Sequence, residues 1–355
     1  MKLTSYDYFL PNELIAQTPA VPRDSSRLFI YNTTTNKIIF DHFYNLVKYL
    51  PQDSFMVLNN TKVLPARVIL KKQTGGKAII LLLLNEKVNN GVIKAMVDRK
   101  VNVGDKLFID EKHFFEVIKQ EEHLFYLKYH FSYQWLLNKL TEIGKTPVPL
   151  YLRKTPLAEK ELRKKYQTIF AAVPPKRWNM GSVAAPTASL HFSNRVFNRL
   201  DKKGIKKFFI TLHLGLGTFA PITEENLKEK KLHEEYFEVD GQILQLINQL
   251  KSEGEKLVAV GTTVTRAIES LAKLKVQSEK LKIVGKTNLF IMPSYDFKMV
   301  DCLVTNFHLP KSSLMMLVEA FLQFKGAKRH LVDLYQIAIK EKFRFYSFGD
   351  TMLIL

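Results

Sequence analysis

Leu257-Val-Ala-Val-Gly-Thr-Thr-Val-Thr-Arg266 decides the class of fold. Four apolar residues in a row suit a strand buried on both faces, and Gly261 then turns the chain. From Val264 to Leu274 the apolar spacing is that of an amphipathic helix, with Thr262 or Thr263 placed to cap it. Strand, glycine turn and helix within so few residues argue for an α/β layered domain. The junction offers threonine hydroxyls, a helix N-terminus and Arg266, a combination suited to a carboxylate or phosphate, although a plain N-cap explains the threonines equally well.

Working outward, the alternation continues. Phe208 to Leu214 is strand-like, Gln242 to Glu253 is helical and stops at Gly254, and Phe290 and Val300 to Val304 mark further strands. Helices follow over about 313–324 and 330–341. Phe55-Met-Val-Leu58 is another buried strand whose polar exit holds Asn59, Thr61 and Lys62, and open α/β sheets bind ligands at such strand ends. Pro11 to Gln17 reads as a short helix with proline at its start. Between Val68 and Pro147 the character changes: five short β-branched or aromatic runs, 78–84, 92–97, 106–109, 114–118 and 124–129, are separated by Gly75-Gly76, Asn89-Asn-Gly91 and Gly104-Asp105. These predict a small antiparallel barrel inserted into the main body, with a helix over 131–140 returning the chain. The expected division is 1–67 plus 148–355 as a mixed α/β catalytic domain, and 68–147 as the inserted β-barrel.

Composition bounds the partners. The 355 residues carry 53 Lys and Arg against 34 Asp and Glu, a formal charge of +19, which favours an anionic partner and nucleic acid first. Cys302, the single cysteine, sits in an apolar run and excludes a disulfide framework and a thiolate metal site. The start of the chain has no signal-peptide pattern and the longest apolar run, Ala78 to Leu84, is only strand length, so a cytoplasmic protein without a membrane span is expected.

Gly181-Ser-Val-Ala-Ala-Pro-Thr-Ala-Ser-Leu-His-Phe192 concentrates small residues, hydroxyls and an imidazole, as a loop beside a cavity would. Ser193 follows as the N-cap of a helix that carries Val196, Phe197 and Leu200 on one face and stops at Gly204. Leu214-Gly-Leu-Gly-Thr-Phe-Ala220 contains G-x-G-x-x-A after a strand, but Pro221 prevents a helix from opening inside the glycine run, so Gly215 and Gly217 read as a loop that lets a ligand approach, or as a tight turn, before a dinucleotide fingerprint. His191, His213, His233 and His308 show no metal-ligand spacing. Glu234 and Glu235 follow His233 as a polar cluster. Arg23 and Arg27 flank Asp24 on a proline-broken loop, where two guanidiniums hold a phosphate or pair with the acid between them.

Eight stretches together carry a resemblance. Arg23–Arg27, Leu58–Arg67, Tyr166–Phe170, the Gly181–Phe192 run, Thr211–Phe219, Gly261–Arg266, Thr305–Ser313 and Phe343–Asp350, in this order along a similarity that runs from Tyr6 to Leu355, resemble the S-adenosylmethionine:tRNA ribosyltransferase-isomerase family of queuosine biosynthesis. The resemblance implies transfer of the ribosyl unit of S-adenosylmethionine to a 7-aminomethyl-7-deazaguanine base in the tRNA anticodon and its isomerisation to an epoxy-cyclopentanediol, with adenine and methionine released. It implies tRNA and S-adenosylmethionine as partners, the latter as substrate, no cofactor and no metal, and a monomer is expected. On that basis His191 or His213 is assigned as general base and Glu235 as partner to the sulfonium or ribose hydroxyls. Thr187, Ser189, Gly215, Gly217, Thr262, Thr263, Arg266 and His308 would hold the ligand. Arg23, Arg27, Lys62, Arg67 and Arg344 would meet tRNA. The chain departs from the family's pattern at Ser189, usually Gly, at Ala220, usually Arg, at Leu150, usually Pro, at Val97–Lys100, and by extra residues between Ala171 and Met180. A non-catalytic tRNA-binding relative and a nicotinamide oxidoreductase are the competing classes.

Overall fold

The computed structural model describes residues 3–85, 91–98, 100–172, 181–215, 222–272 and 281–355. Among the described residues nine strands form one mixed sheet and six close a barrel. The sheet contains β1 (Arg27–Asn32), β2 (Lys37–His42), β3 (Ser54–Asn59), β10 (Lys207–Leu212), β11 (Lys231–Asp240), β12 (Lys256–Val260), β13 (Lys282–Leu289), β14 (Cys302–Asn306) and β15 (Thr351–Ile354), in the order β13-β11-β10-β3-β12-β14-β15-β1-β2.

Its centre is parallel: β10, β3, β12 and β14 run the same way. These strands are apolar throughout because both faces are covered. Phe55, Val57, Leu257 and Ala259 face a core that includes residues of α6 (Gly241–Ser252), α7 (Thr262–Ala272), α8 (Ser313–Phe324) and α9 (Leu331–Lys340). Met56, Leu58, Val258 and Val260 face a second core with α1 (Leu46–Tyr49) and α4 (Asn194–Lys202). The period of two in a strand thus divides one apolar run between two cores. Cys302 lies in the second core, where burial pushes its thiol up to about 11, as suits a structural cysteine.

The barrel runs β4 (Arg67–Lys72), β5 (Lys77–Leu82), β6 (Val92–Val97), β9 (Leu124–Lys128), β8 (Phe114–Glu121) and β7 (Lys106–Phe108), all antiparallel. Sequence reasoning found five of these strands and missed β4, whose alternation of buried Val68 and Leu70 with exposed Ile69 and Lys71 follows directly on Pro65. Side chains such as Ile80, Ile93, Phe115 and Leu127 fill the interior, so the barrel is a packed core and not a channel. The returning helix is α2 (Tyr133–Ile143), capped by Ser132 on Trp135 N–H.

Other expectations need correction. The expected helix over 11–17 is one 3-10 turn, Asn12–Leu14, after which Ile15 pairs with Phe345. Glu234 and Glu235, read from the sequence as a polar cluster, lie on β11, Glu234 exposed and Glu235 buried. That strand gives no apolar alternation because charges stand on it at exposed and buried positions alike, Glu235 and Glu238 among the buried ones. The first helix after the glycine run is α5 (Glu224–Glu229), capped by Thr223, while Gly217, Ala220 and Pro221 fall outside the described residues. Among the described residues no helix is long and apolar enough to cross a membrane.

Candidate active site

Parallel strands deliver their C-terminal ends to one edge of the sheet, and the antiparallel neighbours β15 and β1 begin there. The loops 59–63, 213–215, 261–263, 305–311, 22–26 and 344–350 therefore converge. A cavity of about 430 Å³ opens among them, walled by Ala185–Ala188, Leu214, His233, Glu235, Gly261–Thr263, Arg266, Thr305–Leu314 and Tyr346-Ser347, with Tyr151 and Tyr166 from the returning chain. Gly261 reaches φ +93°, a conformation that favours glycine, and so ends β12 and starts α7 in a single residue.

The small-residue run does two things. Gly181 and Ser182 pack between neighbouring segments: a Cβ on Gly181 would lie 2.6 Å from Leu64, and Ser182 exchanges main-chain hydrogen bonds with Lys62 and Leu64. Ala185 to Ala188 form cavity wall. The expected room for a ligand is thus at the second half of the run, and the first half is filled by the protein itself.

At the wall, Glu235 and Arg266 make a buried ion pair at 2.5 Å, with side chains 2% and 8% exposed. Glu235 Oε1 accepts the Gly215 N–H, and Arg266 Nε donates to the Leu289 carbonyl. Arg266 Nη2 is buried without a partner. Gly215 is required by its neighbour: a Cβ there would meet Asn85 Nδ2 at 2.1 Å.

The four histidines separate. His308 and His233 line the cavity. His308 Nε2 lies 2.8 Å from Thr305 Oγ1 and its main chain is held by Tyr335 and Tyr8, while burial lowers its pKa to about 3, so the imidazole is neutral. His191 is not in the wall. Its Nδ1 lies 2.9 Å from Ser26 Oγ and its Nε2 3.3 Å from Asn306 Nδ2; burial, with Arg344 and Arg23 nearby, lowers its pKa to about 3. His213 faces a second cavity of about 300 Å³, shared with Asn60, Lys62, Glu238 and Lys282. There Thr61 Oγ1 lies 3.1 Å from its Nδ1, and Glu238 approaches its Nε2 at 3.9 Å. Burial acts to raise the Glu238 pKa, but its interactions with His213 and Lys282 outweigh it and the net shift is downward.

Of the expected ligand holders, Thr187, Thr262, Thr263, Arg266 and His308 lie in the main cavity wall. Ser189 is fully buried behind it, its Oγ without a partner, and Gly215 supports Glu235 from outside the wall. Gly217 lies outside the described residues.

The arginines expected to meet phosphates each hold a main-chain carbonyl. Arg23 donates to Gln167 O at 3.0 Å, Arg27 to Glu341 O at 2.5 Å, Arg67 to Val148 O at 2.8 Å and Arg344 to Thr18 O at 3.3 Å. Arg67 is the clearest case: burial lowers its pKa, and it ties the first barrel strand to the returning chain. Asp24 pairs with Arg195 through both oxygens, at 2.9 and 2.7 Å, and not with the arginines beside it in sequence. Sequence reasoning also missed Tyr151, Asn306 and Ser347, all of which line the main cavity. Their signal was weak, a polar residue at the end of an apolar run.

Among the described residues no group of three or more His, Cys, Asp or Glu side chains is placed to hold a metal ion.

Comparison with known proteins agrees across the whole length. The sequence profile described as "Queuosine biosynthesis protein" matches residues 3–354. The S-adenosylmethionine:tRNA ribosyltransferase-isomerase of Carboxydothermus hydrogenoformans is 42% identical over 357 residues, and that of Halothermothrix orenii 41% over 359, each alignment covering 100% of both chains. The crystal structure of S-adenosylmethionine tRNA ribosyltransferase from Thermotoga maritima is similar at a TM-score of 0.54 and 33% identity, covering 99% of each chain. On full-length sequence and on fold, the chain belongs to the queuosine biosynthesis protein family.

Proposed function

We propose that this chain is a S-adenosylmethionine:tRNA ribosyltransferase-isomerase, which moves the ribosyl unit of S-adenosylmethionine onto 7-aminomethyl-7-deazaguanine in a tRNA anticodon and isomerises it to the epoxy-cyclopentanediol. The observation that carries the reading is the cavity at the strand edge, where a buried Glu235–Arg266 pair, the hydroxyls of Thr187, Thr262 and Thr263 and a neutral His308 converge in a chain that matches the family from end to end. A sulfonium already activates its neighbouring carbons, so the protein's tasks are orientation, proton transfer and exclusion of water, and no metal or cofactor is required by this chemistry.

The residue roles follow the geometry. Arg266 and the threonines hold S-adenosylmethionine. Glu235 has both oxygens engaged and acts by fixing Arg266, not as a free partner to the sulfonium. His308, at the wall and held neutral by burial, is proposed as a ligand-holding group and not as the proton acceptor, because burial penalises the imidazolium that proton transfer would create. The formal charge of +19 supports tRNA as the macromolecular substrate, with residues 68–147 as an inserted unit beside a catalytic body of 1–67 and 148–355, acting as a monomer in the cytoplasm. Lys62, in the lining of the second cavity, is the one residue of the expected tRNA set not shown holding a main-chain carbonyl.

Equilibrium titration tests the ligand class. S-adenosylmethionine should bind and NADH should not; the reverse would transfer the chain to nicotinamide chemistry.

A further inference from the structure

Among the described residues of the main cavity wall, two buried side-chain atoms have no hydrogen-bond partner: the donor Arg266 Nη2 and the acceptor Asn306 Oδ1. Asn306 ends β14 and is 2% exposed. Its Nδ2 donates to the Tyr346 carbonyl at 3.2 Å and lies 3.3 Å from His191 Nε2. A carbonyl only accepts, so it fixes which end of the amide faces it. Tyr346 itself sits at φ +70°, an unusual conformation for a residue with a side chain. His191 reinforces the choice. It is kept neutral by burial and by Arg23 and Arg344, so one ring nitrogen is an acceptor; with the carbonyl fixing Nδ2 toward Nε2, the matching tautomer has its lone pair at Nε2 and its proton at Nδ1, 2.9 Å from Ser26 Oγ. With two acceptors on the Nδ2 side, Oδ1 is left facing away from both, as an acceptor with nothing to accept.

We infer that Asn306 is a ligand-binding residue whose Oδ1 accepts a hydrogen bond from an N–H or O–H group of S-adenosylmethionine, and that His191 is a positioning residue that prevents its amide from flipping. The inference rests on the functional reading above and assigns His191 a task that its distance from the cavity wall permits. The donors that S-adenosylmethionine offers are the adenine amino group, the two ribose hydroxyls and the ammonium.

The experiment titrates the intact protein with S-adenosylmethionine and with four analogues, each lacking one of these donors. One analogue should bind the wild-type protein about tenfold more weakly than S-adenosylmethionine. In Asn306→Ala, S-adenosylmethionine itself should bind about tenfold more weakly, and that same analogue should lose nothing further. His191→Leu should reduce the discrimination, while His191→Gln, whose amide can still accept, should retain it. If Asn306→Ala does not fold, Asn306→Ser carries the same comparison. Equal losses for every analogue in wild type and variant would overturn the inference. A wild-type protein that does not bind S-adenosylmethionine at all would overturn the functional reading and this inference with it, so the two failures are distinguishable.

Discussion

Replacing Arg266 with methionine is expected to cost about 3–5 kcal/mol of folding stability and to abolish measurable S-adenosylmethionine binding. The stability loss comes from Glu235: with its partner gone, a carboxylate whose side chain is 2% exposed keeps only the Gly215 N–H. Desolvation of that charge is then uncompensated. Glu235→Gln in the same chain removes the stranded charge, so the double variant should recover most of the stability. Binding should not return, because the donors at the cavity wall are still missing. Urea midpoints and calorimetric titrations of the single and double variants separate the two effects. Recovery of binding in the double variant would reduce Arg266 to a structural residue, and an unchanged midpoint in the single variant would deny that the pair is buried.

Mild acid should destabilise the fold by about 4 kcal/mol between pH 7.5 and pH 5, about 2 kcal/mol from each of two histidines. His191 and His308 have folded pKa values of about 3, far below the ordinary 6.5, because burial penalises the imidazolium. The unfolded chain therefore takes up protons first as pH falls. Stability from this source is whole above about pH 6.5 and declines steadily towards pH 3. His330 has the opposite sign, since Glu319 raises its pKa, and it recovers part of the loss. The comparison that isolates the effect is His191→Gln, whose amide can meet both Ser26 and Asn306. Its pH dependence over this window should be about 2 kcal/mol smaller than that of the wild type; an identical dependence in the two proteins would contradict a neutral, buried His191.

The sheet was legible where the core wrote it. Runs such as Leu257–Val260 and Cys302–Val304 are apolar because two cores need them, and a sequence shows that directly. β4 is solvated on one side, so Ile69 and Lys71 alternate with its buried residues, and β11 carries charges even at buried positions, Glu235 and Glu238, so neither shows an apolar run. The cavity wall was legible at Thr187, Thr262, Thr263, Arg266 and His308, where polar residues follow a buried strand or a tight turn. Which polar residue spends its hydrogen bonds inside the protein was not legible. Arg23, Arg27, Arg67 and Arg344 each also hold a main-chain carbonyl, and those partners, 81 to 326 residues away in sequence, are set by long-range packing that the sequence does not show. His191 and His213 illustrate the same limit: both stand at strand-edge loops, yet one is sealed behind Asn306 and the other opens on a different cavity.

The most direct measurement supplies the protein with S-adenosylmethionine labelled in its ribosyl carbons and with tRNA carrying the 7-aminomethyl-7-deazaguanine base, followed by mass spectrometry of the digested nucleosides. The account predicts that the labelled ribosyl carbons appear on that base and that adenine is released in equal amount. Unlabelled tRNA beside intact S-adenosylmethionine, with both still bound by the protein, would contradict it.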